Sequence, residues 1–204
     1  MVAAGAVAGR ARRRAAAVGG RRQARLVARD RRCLAGRGKK GGEKVARTLL
    51  GKRGSRYHLA VDANGAPLAV RLAAGNENER QHLLPLLDAL AERGLAPAQL
   101  WADRGYASRE LEHALIARGI EPRISKPRPA GAPIPAGTPT RTVWRGKKRR
   151  LKTPDPQARH RWPVERTNAW LKAKRRIATR RDRKADNYLA FLHLGMILIL
   201  TKPL

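Results

Sequence analysis

Two carboxylates, Glu165 and Asp103, stand among neighbours that suit chemistry. Glu165 is the only acid in the run from Arg159 to Lys172, Arg-His-Arg-Trp-Pro-Val-Glu-Arg-Thr-Asn-Ala-Trp-Leu-Lys. On a helix, Arg161 four residues before it and Lys172 seven after share its face. A carboxylate framed by cations is what a divalent-metal ligand needs where DNA phosphate must also be held. An ion pair on a helix surface would have the same spacing. Asp103 closes Gln99-Leu-Trp-Ala-Asp103, a short buried-strand pattern, and α/β sheets place ligands beyond the carboxyl ends of their strands. Two or three carboxylates can hold one or two Mg²⁺ ions, which activate a water or a 3′-hydroxyl and stabilise the leaving oxygen at phosphorus. Spacing alone leaves that chemistry open.

The elements that must position these acids are legible in outline. Tyr57-His-Leu-Ala-Val-Asp62 and Pro67-Leu-Ala-Val-Arg-Leu-Ala73 flank Ala63-Asn-Gly-Ala66, and Asn-Gly between apolar runs predicts a hairpin, with Asp62 serving its turn. Leu83, Leu84, Leu87 and Leu90 form one stripe of a helix from Gln81 to Arg93, which Gly94 stops. After Asp103 the chain turns through Arg104-Gly-Tyr-Ala, and Ser108 is placed to cap a helix from Arg109 to Arg118. Ile120-Glu-Pro-Arg-Ile124 reads as another strand, kept from a central ladder position by Pro122. The order strand–strand–helix–strand–helix–strand predicts an α/β fold. From 126 to 156 a basic loop rich in Pro and Gly is expected, with Arg145-Gly-Lys-Lys-Arg-Arg150 tracking phosphates or simply solvated. The apolar run from Tyr188 to Leu200 is too short for a bilayer, which needs roughly 20 residues, and reads as a buried closing helix.

Charge narrows the partners. Over 204 residues, 46 Lys and Arg against 15 Asp and Glu give a formal net charge of +31, which points to a polyanion, most commonly nucleic acid. Apolar residues at 42 % allow a core. A lone Cys33 excludes an internal disulfide framework, no Cys/His spacing suggests zinc, and the five scattered His read as structural or surface groups. The order of charge and apolarity at the start is wrong for a secretory signal.

Ordered motifs from about Lys39 to Leu200 resemble the DDE transposases of bacterial insertion sequences, in particular the group with a Tyr-x2-Arg-x3-Glu-x6-Lys signature. Arg161, Glu165 and Lys172 match that spacing, while Ala158 stands at the Tyr position. Further matches are Gly-Gly-Glu-Lys at 41–44, Gly-Ser-Arg-Tyr-His-Leu at 54–59, Ala-Asp-Arg-Gly-Tyr at 102–106 and Val-Glu-Arg-Thr at 164–167. The resemblance implies a ribonuclease-H-like fold and two-metal chemistry with Mg²⁺ or Mn²⁺. It implies Asp103 and Glu165 as second and third catalytic acids and metal ligands. It also implies binding and cutting of terminal inverted repeats and joining of 3′ ends to target DNA. Arg161 and Lys172 would hold terminal phosphates, with Arg166, Arg175 and Arg176 as further DNA contacts. A homo-oligomer on DNA and a bacterial cytoplasmic location are expected, with no membrane partner.

The amino-terminal side departs from that pattern. Residues 1–36 are Ala, Gly and Arg with little else, expected either as a disordered basic arm or as out-of-frame sequence from a GC-rich gene. The first acid should close a buried strand ahead of the Lys-Lys-Gly-Gly segment. Without a gap that place falls near Arg32, and Asp30 is two residues away, a shift that keeps the same strand face. The expectation is therefore a partial catalytic domain over 37–204, truncated or frameshifted and inactive in strand transfer if that acid is lost. The alternative from a different class is a non-catalytic basic nucleic-acid-binding protein, ribosomal or chromatin-like. It explains the charge equally well, but not the framing of Asp103 and Glu165.

Overall fold

A computed structural model describes residues 25–29, 35–37, 41–47, 53–126, 133, 136–137, 141–145, 148–152 and 158–201, with backbone alone for 25–29, 35–37, 141–145, 148–152 and 158–159. The main sheet contains β1 (Arg25–Arg29), β2 (Ala35–Arg37), β3 (Ala46–Arg47), β4 (Arg53–Val61), β5 (Pro67–Ala74), β6 (Gln99–Ala102) and β7 (Glu121–Ile124). β1 lies between β4, to which it is antiparallel, and β6, to which it is parallel. β5 continues the antiparallel side and β7 the parallel side, while short β2 and β3 add to β4. The helices are α1 (Leu83–Ala91), α2 (Arg109–Ala117), α3 (Ala158–Lys172), α4 (Arg175–Ala178) and α5 (Ala185–Leu200). β8 (Arg141–Arg145) and β9 (Lys148–Lys152) form a separate hairpin.

Side chains alternate across the strands as a pleated backbone requires. Ala60, Ala69, Leu100 and Ala102 face α1 and α2, where they meet Leu83, Leu86, Leu87, Leu90, Leu111 and Leu115. Tyr57, Leu59, Val61 and Leu72 face the other way, against Val164, Leu171, Ile177, Tyr188, Leu192, Met196 and Ile199 of α3, α4 and α5. The expected hairpin is present, with Val61 paired to Pro67 and Gly65 at φ +83°. Asp62 does serve the turn: its Oδ1 accepts the amides of Asn64 at 2.9 Å and Ala66 at 2.7 Å. Pro122 sits in β7 at the end of the strand order, where a missing N–H is tolerated.

Four expectations need adjustment. β1, Arg-Leu-Val-Ala-Arg, takes the sheet centre from within the stretch read as an arm. Three apolar residues between arginines are too few for a period of 2 to show. Asp30, Arg32 and Cys33 lie outside the described residues. The basic loop contains β8 and β9, with Thr142 opposite Leu151 and Trp144 opposite Arg149. Its Thr, Val and Trp favour a strand over a loop. Ser108 occupies the position before α2, but its side chain makes no capping hydrogen bond. Finally, α5 is buried on one face only, and Leu194, Ile197 and Leu198 remain exposed on the other.

Candidate active site and nucleic-acid interface

Trp101 and Asp103 are two residues apart and serve the same face of the sheet, the one α3 covers. The Trp101 indole stacks on His160 with centroids 3.9 Å apart and 20° between planes. Asp103 leaves the end of β6 with its side chain 5 % exposed, and its Oδ1 accepts the Arg104 amide at 2.8 Å. The same oxygen accepts Arg161 Nη1 at 2.7 Å, a charge-assisted contact between two largely buried groups. Arg161 therefore ties the first turns of α3 to the carboxyl end of β6.

The turn that carries Asp103 is pinned from the opposite face. The Tyr106 amide donates to the Asp103 carbonyl at 3.0 Å, and its buried ring carries a hydroxyl 2.7 Å from His58 Nδ1. Gly105 leaves room for the Glu79 carboxylate, which accepts Arg56 Nη1 at 3.2 Å. His58 stacks on His82 at 4.5 Å between centroids. Burial, aided by His82, Arg56 and Arg71, pushes the His58 imidazole from 6.5 down to about 3, so it is neutral at physiological pH. Burial also lowers His82. Reading His58 as structural is consistent with this setting, yet its link to the Asp103 turn is not visible in sequence spacing. The nearest signal is that His58 and Tyr106 both fall inside matched motifs.

Glu165 lies one helical turn beyond Arg161 on α3. Pro163 removes a helix N–H just before it, and tertiary contacts hold the helix. Val164 and Leu171 are buried, and the Tyr57 hydroxyl donates to Asn168 Oδ1. The Thr167 hydroxyl donates to the Gly65 carbonyl, with the Pro163 carbonyl as a second acceptor at 3.0 Å. Arg166 donates to the Asn64 carbonyl, and its guanidinium lies 4.7 Å from the Trp162 ring centre and 4.9 Å from that of Trp170. Beside it opens a cavity of about 880 Å³, lined among others by Asn64, Trp162, Trp170, Lys174 and Leu198. Arg166 thus has an intramolecular role besides the DNA contact expected of it. Lys172 ends α3. On α4, Arg175 is exposed, while Arg176 pairs with Asp182 at 3.1 Å and lies 4.6 Å from the Phe191 ring centre.

A second basic residue with a structural task, Arg180, escaped the sequence reading because it sits in a run of arginines. It is 1 % exposed and donates to Ser55 Oγ, to the Asp182 carbonyl at 2.9 Å and to the Arg183 carbonyl at 3.2 Å. The Gly-Gly-Glu-Lys segment docks on the same loop. The Glu43 amide donates to the Arg183 carbonyl at 2.9 Å, and Glu43 Oε2 accepts the Ala185 amide that begins α5 at 2.8 Å. The motifs at 41–44 and 54–59 therefore meet at the loop between α4 and α5, which is far from both in sequence.

Among the described residues no group of three or more His, Cys, Asp or Glu is gathered as a metal cluster. Asp103 and Glu165 nonetheless fit a Mg²⁺ ion in kind. Such an ion takes oxygen donors and is commonly held by one or two carboxylates, the remaining positions going to water and substrate phosphate. The buried Asp103 oxygen already engages a cation, the Arg161 guanidinium.

Residues 22–200 match the family model of the transposase DDE domain. The chain belongs to that family. It is 40 % identical over 153 residues to a putative transposase for insertion sequence element IS402 from Burkholderia cepacia, covering 72 % of this chain and 62 % of that protein. It thus spans about three fifths of that relative's length. The piggyBac transposase, solved in a synaptic complex with hairpin DNA, aligns over 87 % of this chain and 46 % of its own at 10 % identity, with a TM-score of 0.52. That likeness bears on the fold alone, which is the α/β, ribonuclease-H-like core of DDE transposases. No helix among the described residues of this DDE domain is long and apolar enough to cross a membrane.

Proposed function

We propose that the chain acts as the catalytic domain of an insertion-sequence transposase. It cuts element ends and joins them to target DNA by metal-dependent phosphoryl transfer. The observation that carries this reading is the Arg161–Asp103 contact at 2.7 Å, which brings the helix of Glu165 to the carboxyl end of β6. Asp103 and Glu165 are the ligands for Mg²⁺ or Mn²⁺, which when bound activates the attacking oxygen and stabilises the leaving one. Arg161 and Lys172, on the helix face of Glu165, hold the phosphates beside the scissile bond. Arg175, exposed at the start of α4, adds a phosphate contact at the rim. Asp30 is the proposed first acid. β1 runs parallel to β6 with Ala28 opposite Ala102, so both strands run to the same end of the sheet, and Asp30 follows β1 in sequence one position beyond the place level with Asp103. Terminal inverted repeats and target DNA are the partners, bound by a homo-oligomer.

The test is Mn²⁺-dependent cleavage of duplexes carrying the element ends, run beside a DNA-binding assay at fixed salt. Asp30→Asn, Asp103→Asn and Glu165→Ala should each reduce cleavage to background and leave non-specific binding intact, because that binding depends on phosphate contacts. A Glu165→Ala chain that cuts as well as the unmodified one removes Glu165 from the chemistry. A chain that binds DNA with a steep salt dependence yet ignores Mn²⁺ and Mg²⁺ is a binder without catalysis.

A further inference from the structure

The contacts that orient α3 suggest a role for a turn far from it in sequence. α3 is a poor candidate for self-positioning. It carries Pro163 in its first half and is rich in arginine. Its amino-terminal turns are held to β6 by the stack of His160 on Trp101 and by Arg161 on Asp103. Beyond Glu165, the next two residues both bond to one place, the Asn64–Gly65 turn between β4 and β5. Arg166 donates to the Asn64 carbonyl and Thr167, fully buried, to the Gly65 carbonyl. The approach is close. A Cβ added at Gly65 would lie 3.0 Å from Arg166 Nη2 and 3.1 Å from both the Pro163 carbonyl and Thr167 Oγ1. Gly65 also has φ +83°, where a side chain is strained.

We infer that the Asn64–Gly65 turn is a positioning element for Glu165, acting through the Thr167 hydroxyl. The turn sets the axial position and rotation of α3, so that Glu165 faces the end of β6 when a divalent metal and DNA arrive. This rests on the proposal that Glu165 is a metal ligand. The hairpin then does two jobs at its two ends. β4 supplies the core strand beside β1, and the turn clamps the helix whose carboxylate must meet Asp103. Groups that orient a metal ligand from behind typically change metal affinity by roughly 10–100-fold when removed, and a ligand displaced by a fraction of an ångström is enough for that.

The experiment is a Mn²⁺ titration of the purified chain, with a non-specific DNA duplex present, followed by the electron paramagnetic resonance of the free ion. It compares the unmodified chain with Glu165→Gln, Thr167→Val, Thr167→Ser and Gly65→Ala, and records the thermal midpoint of each. Thr167→Val keeps the shape and deletes the hydroxyl, and should weaken Mn²⁺ binding about tenfold. Thr167→Ser keeps the hydroxyl and deletes a methyl, and should bind within about twofold of the unmodified chain, although it too loses stability. Gly65→Ala should weaken binding like Thr167→Val. Metal affinity that follows the hydroxyl, and not the thermal midpoint, separates positioning from mere folding. If Glu165→Gln binds Mn²⁺ like the unmodified chain, the metal reading of Glu165 has failed, and this inference with it. If Glu165→Gln weakens binding but Thr167→Val does not, or Thr167→Ser is as weak as Thr167→Val, the metal reading stands and the positioning role is overturned.

Discussion

On the face of the sheet under α1 and α2, Leu83, Leu86, Leu87 and Leu90 meet Leu100, Leu111 and Leu115, and apolar area holds the layer together. The face under α3, α4 and α5 has an apolar core of similar make-up, from Val164 to Ile199, but directional bonds are added to it. Arg180 reaches Ser55 and two carbonyls, Glu43 caps α5, Asn168 meets Tyr57, and Thr167 meets Gly65. Apolar contact tolerates small slides, whereas a hydrogen bond fixes a distance and a direction. Apart from the His58–Tyr106 and Arg56–Glu79 contacts behind the Asp103 turn, the first face needs only to be covered. The second holds Arg161 on Asp103, and on the proposed function it must also keep Glu165 in register with them.

Breaking the first face should therefore cost stability without touching the site. Leu86→Ala, at a side chain 1 % exposed, should destabilise by about 3 kcal/mol through lost transfer energy and a residual cavity. Urea midpoints measure that loss, and DNA affinity at fixed salt should be unchanged. On the second face Arg180→Met should cost about 2 kcal/mol, because it removes three bonds from a buried cation and takes the donor from the Asp182 carbonyl, while Ser55 keeps the Lys44 carbonyl and the Arg183 carbonyl keeps the Glu43 amide. Its signature is local: amide exchange should accelerate at 41–45 and 180–188 before it does in β4 or α1. Gly42→Ala should give the same pattern, since its added Cβ would lie 2.5 Å from the Arg183 carbonyl at φ +130°. An Arg180→Met chain as stable as the unmodified one would mean that packing alone holds this face, and the contrast would be gone.

How much of this could be read from sequence follows the same division. The first face was legible because its signals are local, a leucine stripe at helical spacing and Gly94 at a helix end; Asn-Gly between apolar runs and Asp103 at a strand end are equally local signals that serve the second. The second was legible in its acids and cations but not in their tasks. Arg161, Arg166 and Arg180 look alike in a chain with 46 Lys and Arg, and only the fold shows which pairs with a carboxylate, which lies between indoles and which is buried. β1 was missed because three apolar residues between arginines carry no period, and its place is set by pairing with β4 and β6. The exposed face of α5, Leu194, Ile197 and Leu198, was missed for the opposite reason: an apolar run interrupted only by His193 has almost no polar side to declare.

The stacked histidines His58 and His82 are a polar exception among the leucines of the first face. His58 is held neutral in the fold down to about pH 3, whereas an unfolded His takes up a proton near 6.5. The unfolded chain then binds the extra proton between those values, so stability from this group is complete above pH 6.5 and is lost as pH falls below it. From pH 7 to pH 5 the loss from His58 alone should be about 2 kcal/mol, and His82, lowered in the same direction, adds to it. Urea midpoints at the two pH values should fall less steeply for His58→Gln than for the unmodified chain. Equal slopes would place the acid sensitivity elsewhere.

The smallest effect isolates backbone from contact. Gly94 ends α1 at φ +71°, with its amide donating to the Ala91 carbonyl at 2.9 Å and the Leu95 amide to the Leu90 carbonyl at 3.0 Å. A Cβ there would meet nothing within 4 Å, so a substitution is penalised only by the left-handed backbone. Gly94→Ala should cost about 1 kcal/mol, and Gly94→Asn clearly less, because Asn tolerates that region best among side-chain-bearing residues. Gly42→Ala should exceed both, since it adds a collision with the Arg183 carbonyl to a backbone at φ +130°, further from what a side chain tolerates than the +71° of Gly94. If Gly94→Ala proved as costly as Gly42→Ala, close approach would contribute nothing at Gly42. The tight docking of the 41–44 segment on the α5 loop would then be a consequence of the fold and not one of its supports.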